Sequence, residues 1–188
     1  AASLIGIETA AEAVEGIDES TPAWKEEELR TWLEERFNAL RLANAIIYGW
    51  GGVPVIWSGD ELGQFNDPNW DTEPGHESDS RWSGRPVLDK GRVERRHDRS
   101  TVEGRVFSDL AHLGEVRAGL PQLSADVRTV VAPVDDEGVL VTYRDHPRGS
   151  FVGVYNVTPD WRSVPAWRLA EYGVLGAVDA LTGTVPSD

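Results

Sequence analysis

Residues 51–61 have the sequence GGVPVIWSGDE, in which an apolar run lies between glycines on one side and two acids on the other. The run, Val53 to Trp57, does not alternate apolar with polar side chains. A strand without alternation is buried on both faces, as in a parallel sheet covered by helices. The stretch therefore predicts an inner parallel strand, followed by a polar loop that begins at Asp60.

Helical patterns precede this predicted strand. Residues 1–15 are rich in alanine and place apolar side chains at helical spacing. A second, long amphipathic helix is predicted to begin with Thr21 as its cap and Pro22 at its first position, where the missing N–H costs nothing. Its buried face is predicted to consist of Leu29, Trp32, Leu33, Phe37, Leu40, Ala43 and Ile47.

A polar loop of about forty residues follows the predicted strand, from Asp60 to Arg99, and loops of that length inside a compact domain are usually functional or disordered. Helix resumes with a predicted capping box formed by Ser100 and Glu103. In barrels of alternating strands and helices, the active site is made by loops at the carboxyl ends of the strands. The loop of residues 60–99 is in that position.

The periodicity changes from helical to two after residue 121. Strands are predicted at residues 127–134, 139–144 and 151–157, with a weaker fourth strand at residues 174–181. We therefore assign residues 1–121 to one domain and residues 122–188 to an all-β domain.

Composition excludes several classes of function. The net charge of −14 opposes binding to nucleic acid or to anionic lipid, and no apolar run is long enough to span a bilayer. A neutral small molecule is easier to accommodate. The absence of cysteine excludes disulfides and thiol chemistry. It fits a reducing compartment or a scaffold that needs no disulfides, so the location stays open, with the cytoplasm favoured. A chain without methionine that starts inside a predicted helix is expected to be a piece of a longer protein.

Metal and phosphate sites are not predicted. Alternate acids and an amide at residues 67–73 superficially resemble a calcium loop, but Thr72 and Ser78 replace its glycine and its bidentate glutamate. Glycines that precede a strand do not form a dinucleotide fingerprint. The four histidines, at widely spaced positions, are assigned to the solvated surface: His76, His97, His112 and His146.

The loop nevertheless contains candidate site residues. Asp60 and Glu61 are adjacent, so on a strand they would point to opposite faces and could not form a facing acid and base pair; a role in loop hydrogen bonding is expected. Arg81, between Asp79 and Trp82, could hydrogen-bond sugar hydroxyls or pair with a carboxylate at a pocket floor. Composition alone leaves that role and a merely structural one open.

The sequence resembles a known family. The run of residues 51–61 is similar to the eighth barrel strand of the α-amylase family of glycoside hydrolases. The narrower resemblance is to the amylosucrase and sucrose hydrolase branch. It rests on Asn66-Asp67, Asp79-Ser80-Arg81-Trp82, Arg85-Pro86, Ser100-Thr101 with Gly104-Arg105, residues 1–6, Tyr143 to Pro147 and Val154 to Asn156.

This resemblance implies an α/β fold, in which the C-terminal end of a (β/α)8 TIM barrel is followed by a small antiparallel β-sandwich. It implies a retaining glucosyl transfer from sucrose, with three catalytic carboxylates upstream of Ala1 and none in this fragment. Arg81 would bind substrate by closing the bottom of the glucose pocket. Asp60, Glu61, Asp79 and Trp82 would support the loop.

The resemblance also implies which partners to expect. They are a small sugar substrate, sucrose with an α-glucan acceptor, and the remainder of the chain's own catalytic domain; no cofactor is required. Two alternatives stay open at this point. One is an α-glucosidase or trehalose-converting relative of the same superfamily. The other is a non-catalytic carbohydrate-binding module that uses exposed aromatic side chains such as Trp161 and Trp167.

Overall fold

The computed structural model describes residues 1–174 and 176–185. The helices and strands, in chain order, are α1 (Ala2–Ile5), α2 (Ile7–Glu15), α3 (Ala23–Gly49), α4 (Lys90–Arg95), α5 (Val102–Ala118), β1 (Val130–Ala132), β2 (Val139–Arg144), β3 (Phe151–Asn156) and α6 (Ala166–Ala170). The chain divides into two compact units, which are described separately. Unit 1 comprises Ala1–Arg41 and Ile56–Leu110, and unit 2 comprises Leu42–Val55 and Ala111–Asp188.

The predicted first helix is two helices in unit 1. Gly6 lies between α1 and α2 with φ of 82° and donates its N–H to the carbonyl oxygens of Ala2 and Ser3. Glycine adopts this left-handed conformation without the steric penalty that a Cβ would cause, so it ends a helix readily. The helical spacing of residues 1–15 therefore predicted one continuous helix and did not reveal the interruption at Gly6.

Helix α3 begins one residue later than the sequence pattern predicts. The N–H groups of Lys25 and Glu26 donate to the carbonyl oxygen of Pro22, which makes Pro22 the residue that flanks the helix. Phe37 and Leu40 are buried, as predicted, whereas Ile47 at the other end of the predicted face is 44% exposed. The core of unit 1 combines Ala2, Ile7, Phe37, Leu40, Val106 and Leu110.

The prediction that residues 53–57 form a strand buried on both faces is wrong for this structure. They form no strand, and Val53, Val55 and Trp57 are 81%, 74% and 57% exposed. The physical reason is that no described strand pairs with this segment, because β1, β2 and β3 pair only with one another. An extended segment without a partner strand has no ladder of hydrogen bonds and no covering layer.

The second half of the chain forms the predicted antiparallel strands. In unit 2, β2 lies between β1 and β3, and Val141 of β2 pairs with Ala132 on one side and Val154 on the other. The core of this sheet contains Ala132, Val139 and Val141, with Tyr172 packed against it. The predicted fourth strand is absent from residues 174 and 176–181, and residue 175 lies outside the described residues.

The buried guanidinium of Arg144 organises the loops of unit 2. Arg144 is 2% exposed, and its five N–H groups have five acceptors. These are the carbonyl oxygens of Gln122, Trp50, Ser124 and Val127, at 2.5 to 2.6 Å, and the hydroxyl of Thr129. Burial lowers the pKa of Arg144, and the nearby charge of Arg117 adds to that shift. Arg117 donates to the carbonyl oxygens of Tyr48, Gly52 and Leu123.

The described residues thus combine helices with one three-stranded antiparallel sheet. Neither the predicted TIM barrel nor a β-sandwich is present in residues 1–174 and 176–185, and the predicted domain limits at 121 and 122 stay a prediction. None of the helices in this part of the chain is both long and apolar enough to cross a membrane.

Candidate functional site

The candidate site is the polar loop of unit 1, which begins at a short 3-10 helix, Asp60–Leu62. Gly59 precedes it with φ of 98° and donates its N–H to the Glu61 carboxylate at 2.8 Å. The Asp60 carboxylate lies 3.0 Å from the amino group of Ala1. Glu61 therefore hydrogen-bonds a local group at the start of the loop, whereas Asp60 contacts the first residue of the sequence, 59 positions away.

Two hydrogen bonds, one between main-chain groups and one from a side-chain amide, give the loop a defined course. The N–H of Asp67 donates to the carbonyl oxygen of Ser83 at 2.8 Å. The amide of Gln64 donates to the carbonyl oxygen of Val87 at 2.8 Å. These two bonds bring the beginning of the loop alongside the 3-10 helix Ser80–Gly84, which carries Arg81 and Trp82.

Arg81 is held by Asp79. The Asp79 carboxylate accepts the backbone N–H of Arg81 at 3.0 Å and thereby caps the 3-10 helix. The same carboxylate accepts Nε–H and Nη2–H of the Arg81 side chain, both at 2.7 Å. Hydrogen bonds from the Arg81 side chain, and then from its backbone, lower the pKa of Asp79 from 3.8 to about 2. The Arg81 side chain is nevertheless 74% exposed, so its outer edge faces solvent.

Trp82 is stacked on a histidine. The rings of Trp82 and His76 lie 3.8 Å apart between centroids and are inclined by only 7°. The Arg85 guanidinium lies 5.8 Å from the centroid of the Trp82 ring, and the Glu73 carboxylate lies 3.5 Å from Nδ1 of His76. Because His76 covers one face of the indole, that face is not free to stack on a sugar.

Glu103 anchors the far end of the loop. Its side chain is 6% exposed and lies 3.0 Å from Arg92 and 2.9 Å from Arg95, both of which belong to α4. The Arg92 guanidinium also lies 4.5 Å from the centre of the Phe65 ring. Burial opposes the ionised form of Glu103, but the hydrogen bond from Arg95 and the charge of Arg92 outweigh it and hold the pKa of Glu103 below its usual value.

The predicted capping box of Ser100 and Glu103 is not formed. Thr101, not Ser100, precedes α5, and its hydroxyl accepts the N–H of Gly104 at 3.1 Å. Ser100 instead donates to the Asp98 carboxylate at 2.7 Å. With the helix shifted by one residue, Glu103 no longer occupies the position that reaches back to the cap, and it turns to the two arginines.

The remaining histidines have separate local partners. His97 packs edge-on against Phe107, His112 lies 3.0 Å from the carbonyl oxygen of Leu181, and Nδ1 of His146 accepts the N–H of Arg148. No group of three or more His, Asp or Glu side chains in the described parts of the chain is arranged to hold a metal ion.

The structure thus brings together Asp79, Arg81 and Trp82, which the sequence had singled out, and places Asp60 and Glu61 at the loop entrance. The sequence reasoning missed the stacking role of His76 and the anchoring role of Glu103. A signal for the second was present, because a lone acid in the first turn of α5 follows the arginine-rich segment 92–99.

One comparison with known families bears on this chain. Residues 128–186 match the family model of the amylosucrase C-terminal domain. The chain's C-terminal segment is amylosucrase-like. The described part of this match contains the whole of the three-stranded sheet and α6. The resemblance inferred from the sequence is thereby confirmed for residues 128–186.

Proposed function

We propose that this chain is the C-terminal part of an amylosucrase-like enzyme that takes the glucosyl group from sucrose. The family match over residues 128–186 carries the proposal. The motifs at residues 51–61 and 79–82, which resemble those of the same enzymes, support it. They lie outside the matched segment and are therefore a separate indication.

The proposed chemistry is a retaining double displacement. An aspartate attacks the anomeric carbon of the glucosyl group as the bond between that carbon and the fructose oxygen breaks. A glutamate protonates the fructose oxygen. Water or the hydroxyl of an α-glucan acceptor then takes the glucosyl group from the aspartate, while the glutamate removes its proton. A second aspartate stabilises the transition state. In the proposal these three acids belong to chain outside the 188 residues, so this segment does not catalyse the reaction by itself.

The contribution of this segment is Arg81. In the proposed enzyme its guanidinium closes the bottom of the glucose pocket by pairing with an acid from the missing part of the barrel. The exposure of Arg81 supports this role, because an outward-facing edge is available to such a partner. A neutral sugar also suits a chain whose net charge is −14.

The exposed apolar segment supports the same proposal. Val53, Val55 and Trp57 are exposed, while Pro54 and Ile56 between them are partly buried. Large apolar side chains in a row on a surface mark a site of contact with other protein. In the proposed enzyme, Val53–Trp57 is an inner barrel strand whose neighbours lie outside these residues.

The test is release of fructose from sucrose by the full-length protein, with maltose and trehalose assayed in parallel. The proposal expects fructose from sucrose and negligible glucose from maltose. Cleavage of maltose or trehalose with sucrose left intact would instead support the α-glucosidase or trehalose-converting relative.

A second candidate function is carbohydrate binding by unit 2. It is favoured by the exposure of Trp161 and Trp167, which are 86% and 57% exposed. Exposed indoles can stack on sugar rings. Glucan binding by the full-length protein that is lost in Trp161→Ala and Trp167→Ala, in the absence of any sucrose cleavage, would support this function.

A further inference from the structure

The proposed function leaves one feature of the loop unexplained: the Asp79 carboxylate accepts two hydrogen bonds from the Arg81 side chain. Arginine has five N–H groups, and they form two edges that can each hold a carboxylate or a pair of hydroxyls. Asp79 takes the side edge, through Nε and Nη2. The end edge, formed by one N–H of Nη1 and one of Nη2, has no acceptor among the described residues.

Asp79 is itself fixed. Its Oδ1 accepts the backbone N–H of Arg81 at 3.0 Å, so the carboxylate that holds the guanidinium is tied to the main chain at the second residue of the 3-10 helix. The next residue, Trp82, is stacked on His76 at 3.8 Å. A long side chain that is 74% exposed is therefore attached at both its base and its side edge.

From these contacts we propose that Asp79 is a positioning residue, which holds the Arg81 guanidinium so that its free end edge is presented to a second oxygen ligand. That ligand is a carboxylate or a pair of sugar hydroxyls. This inference rests on the proposed function, in which Arg81 faces the glucose pocket. An exposed ion pair contributes little to stability. Its effect here is on orientation, because the ligand then does not have to immobilise a flexible arginine.

The decisive variant is Asp79→Asn. Asparagine is as good a helix cap as aspartate, so the bond to the backbone N–H of Arg81 and the local fold are retained. The amide presents one acceptor oxygen in place of two and has no charge, so the two-point hold on the guanidinium is lost. Asp89→Asn is the matched control, since Asp89 caps α4 by accepting the N–H of Gly91 at 2.7 Å.

The experiment is a double-mutant cycle in the full-length protein with sucrose as substrate. Asp79→Asn is expected to lower kcat/KM by about three- to tenfold, the effect of having to immobilise one long side chain. In an Arg81→Ala background, the same substitution is expected to change kcat/KM by less than about twofold. An equal loss in both backgrounds would mean that Asp79 acts only through the loop fold, and would overturn the proposal.

A second measurement separates this inference from the proposed function. The Nε–H resonance of Arg81, assigned by its absence in Arg81→Lys, is expected to shift and exchange faster with water in Asp79→Asn but not in Asp89→Asn. If the wild-type protein leaves sucrose intact, the proposed function fails. The Arg81 resonance then still tests whether Asp79 positions the guanidinium. A resonance that is unchanged in Asp79→Asn overturns the positioning role, whatever the activity.

Discussion

Nη1 of Arg144 donates a hydrogen bond of 2.6 Å to the carbonyl oxygen of Trp50, a residue 94 positions earlier in the chain. The same guanidinium binds three further carbonyl oxygens and the Thr129 hydroxyl, so that it joins the Gly49–Gly52 turn to the segment of residues 122–129. A guanidinium with five satisfied donors can be buried at a tolerable desolvation cost. Two separate segments of unit 2 therefore depend on one side chain of β2.

Arg144→Lys is expected to lower the free energy of unfolding by about 2 to 5 kcal/mol, because lysine has three donors and leaves buried carbonyl oxygens unpaired. Chemical denaturation of the full-length protein measures the change. The control is Arg148→Lys, at an exposed position close by, which should alter stability by less than about 0.5 kcal/mol. Equal effects at the two positions would contradict the role of Arg144.

Gly51→Ala is expected to destabilise the folded protein more than Gly52→Ala does. Both glycines have positive φ, 88° and 76°, so both substitutions carry the strain of a left-handed residue, about 1 to 2 kcal/mol. A Cβ on Gly51 would also overlap the Arg144 guanidinium, whereas a Cβ on Gly52 would meet no atom within 4 Å. The measurement is the midpoint of chemical denaturation, and the difference between the two variants reports the cost of the overlap with Arg144. Identical midpoints would show that the guanidinium is not in contact with the turn.

Glu103→Gln is expected to lower stability at neutral pH by about 2 kcal/mol, because it removes the charge that pairs with Arg92 and Arg95. The pKa of Glu103 is lowered in the folded protein. Its contribution is therefore fully present above the unfolded value of about 4.3 and is lost as the pH falls through the lower, folded pKa.

The measurement is stability as a function of pH, with Glu94→Gln at an exposed position of α4 as the control. The decline of stability below about pH 4.3 should be shallower in Glu103→Gln than in the wild type and unchanged in the control. A steeper or unaltered decline in Glu103→Gln would contradict the lowered pKa.

Under the proposed function, Arg81→Ala in the full-length protein is expected to reduce kcat/KM for sucrose by at least about a hundredfold, since the proposed glucose pocket would lose a charged wall. Arg99→Ala is the matched control, because that side chain is 70% exposed and also faces a carboxylate, Asp109 at 3.8 Å. Steady-state fructose release measures both variants. Wild-type turnover in Arg81→Ala would remove its role in the pocket.

Replacement of Val53 and Val55 by threonine is expected to act in opposite directions in two contexts. In the 188-residue chain, where both side chains are exposed, the change should reduce aggregation. In the full-length enzyme, where we propose a barrel strand, it should cost about 1 to 3 kcal/mol per buried hydroxyl without a partner. Val87→Thr, at a position that is 87% exposed, is the control. Full stability of the doubly substituted enzyme would contradict the barrel strand.

The sequence by itself determined the elements whose signals are local. The alternation of residues 139–144 and 151–157 predicted β2 and β3 to within one residue, and helical spacing predicted α3 and α5. The choice of Asp79, Arg81 and Trp82 came from a motif, which is also local. Periodicity and turn chemistry depend on neighbours a few residues apart, so a sequence displays them directly.

Tertiary structure alone decided which side chains are partners and which surfaces are covered. Arg144 meets Trp50 and His76 covers Trp82, and no local pattern specifies either of these two pairs. The same holds for Val53–Trp57, where an apolar run shows that burial would be favourable but not whether partner strands are present. Burial and pairing are properties of the chain segments that surround a residue, and those segments are distant in sequence.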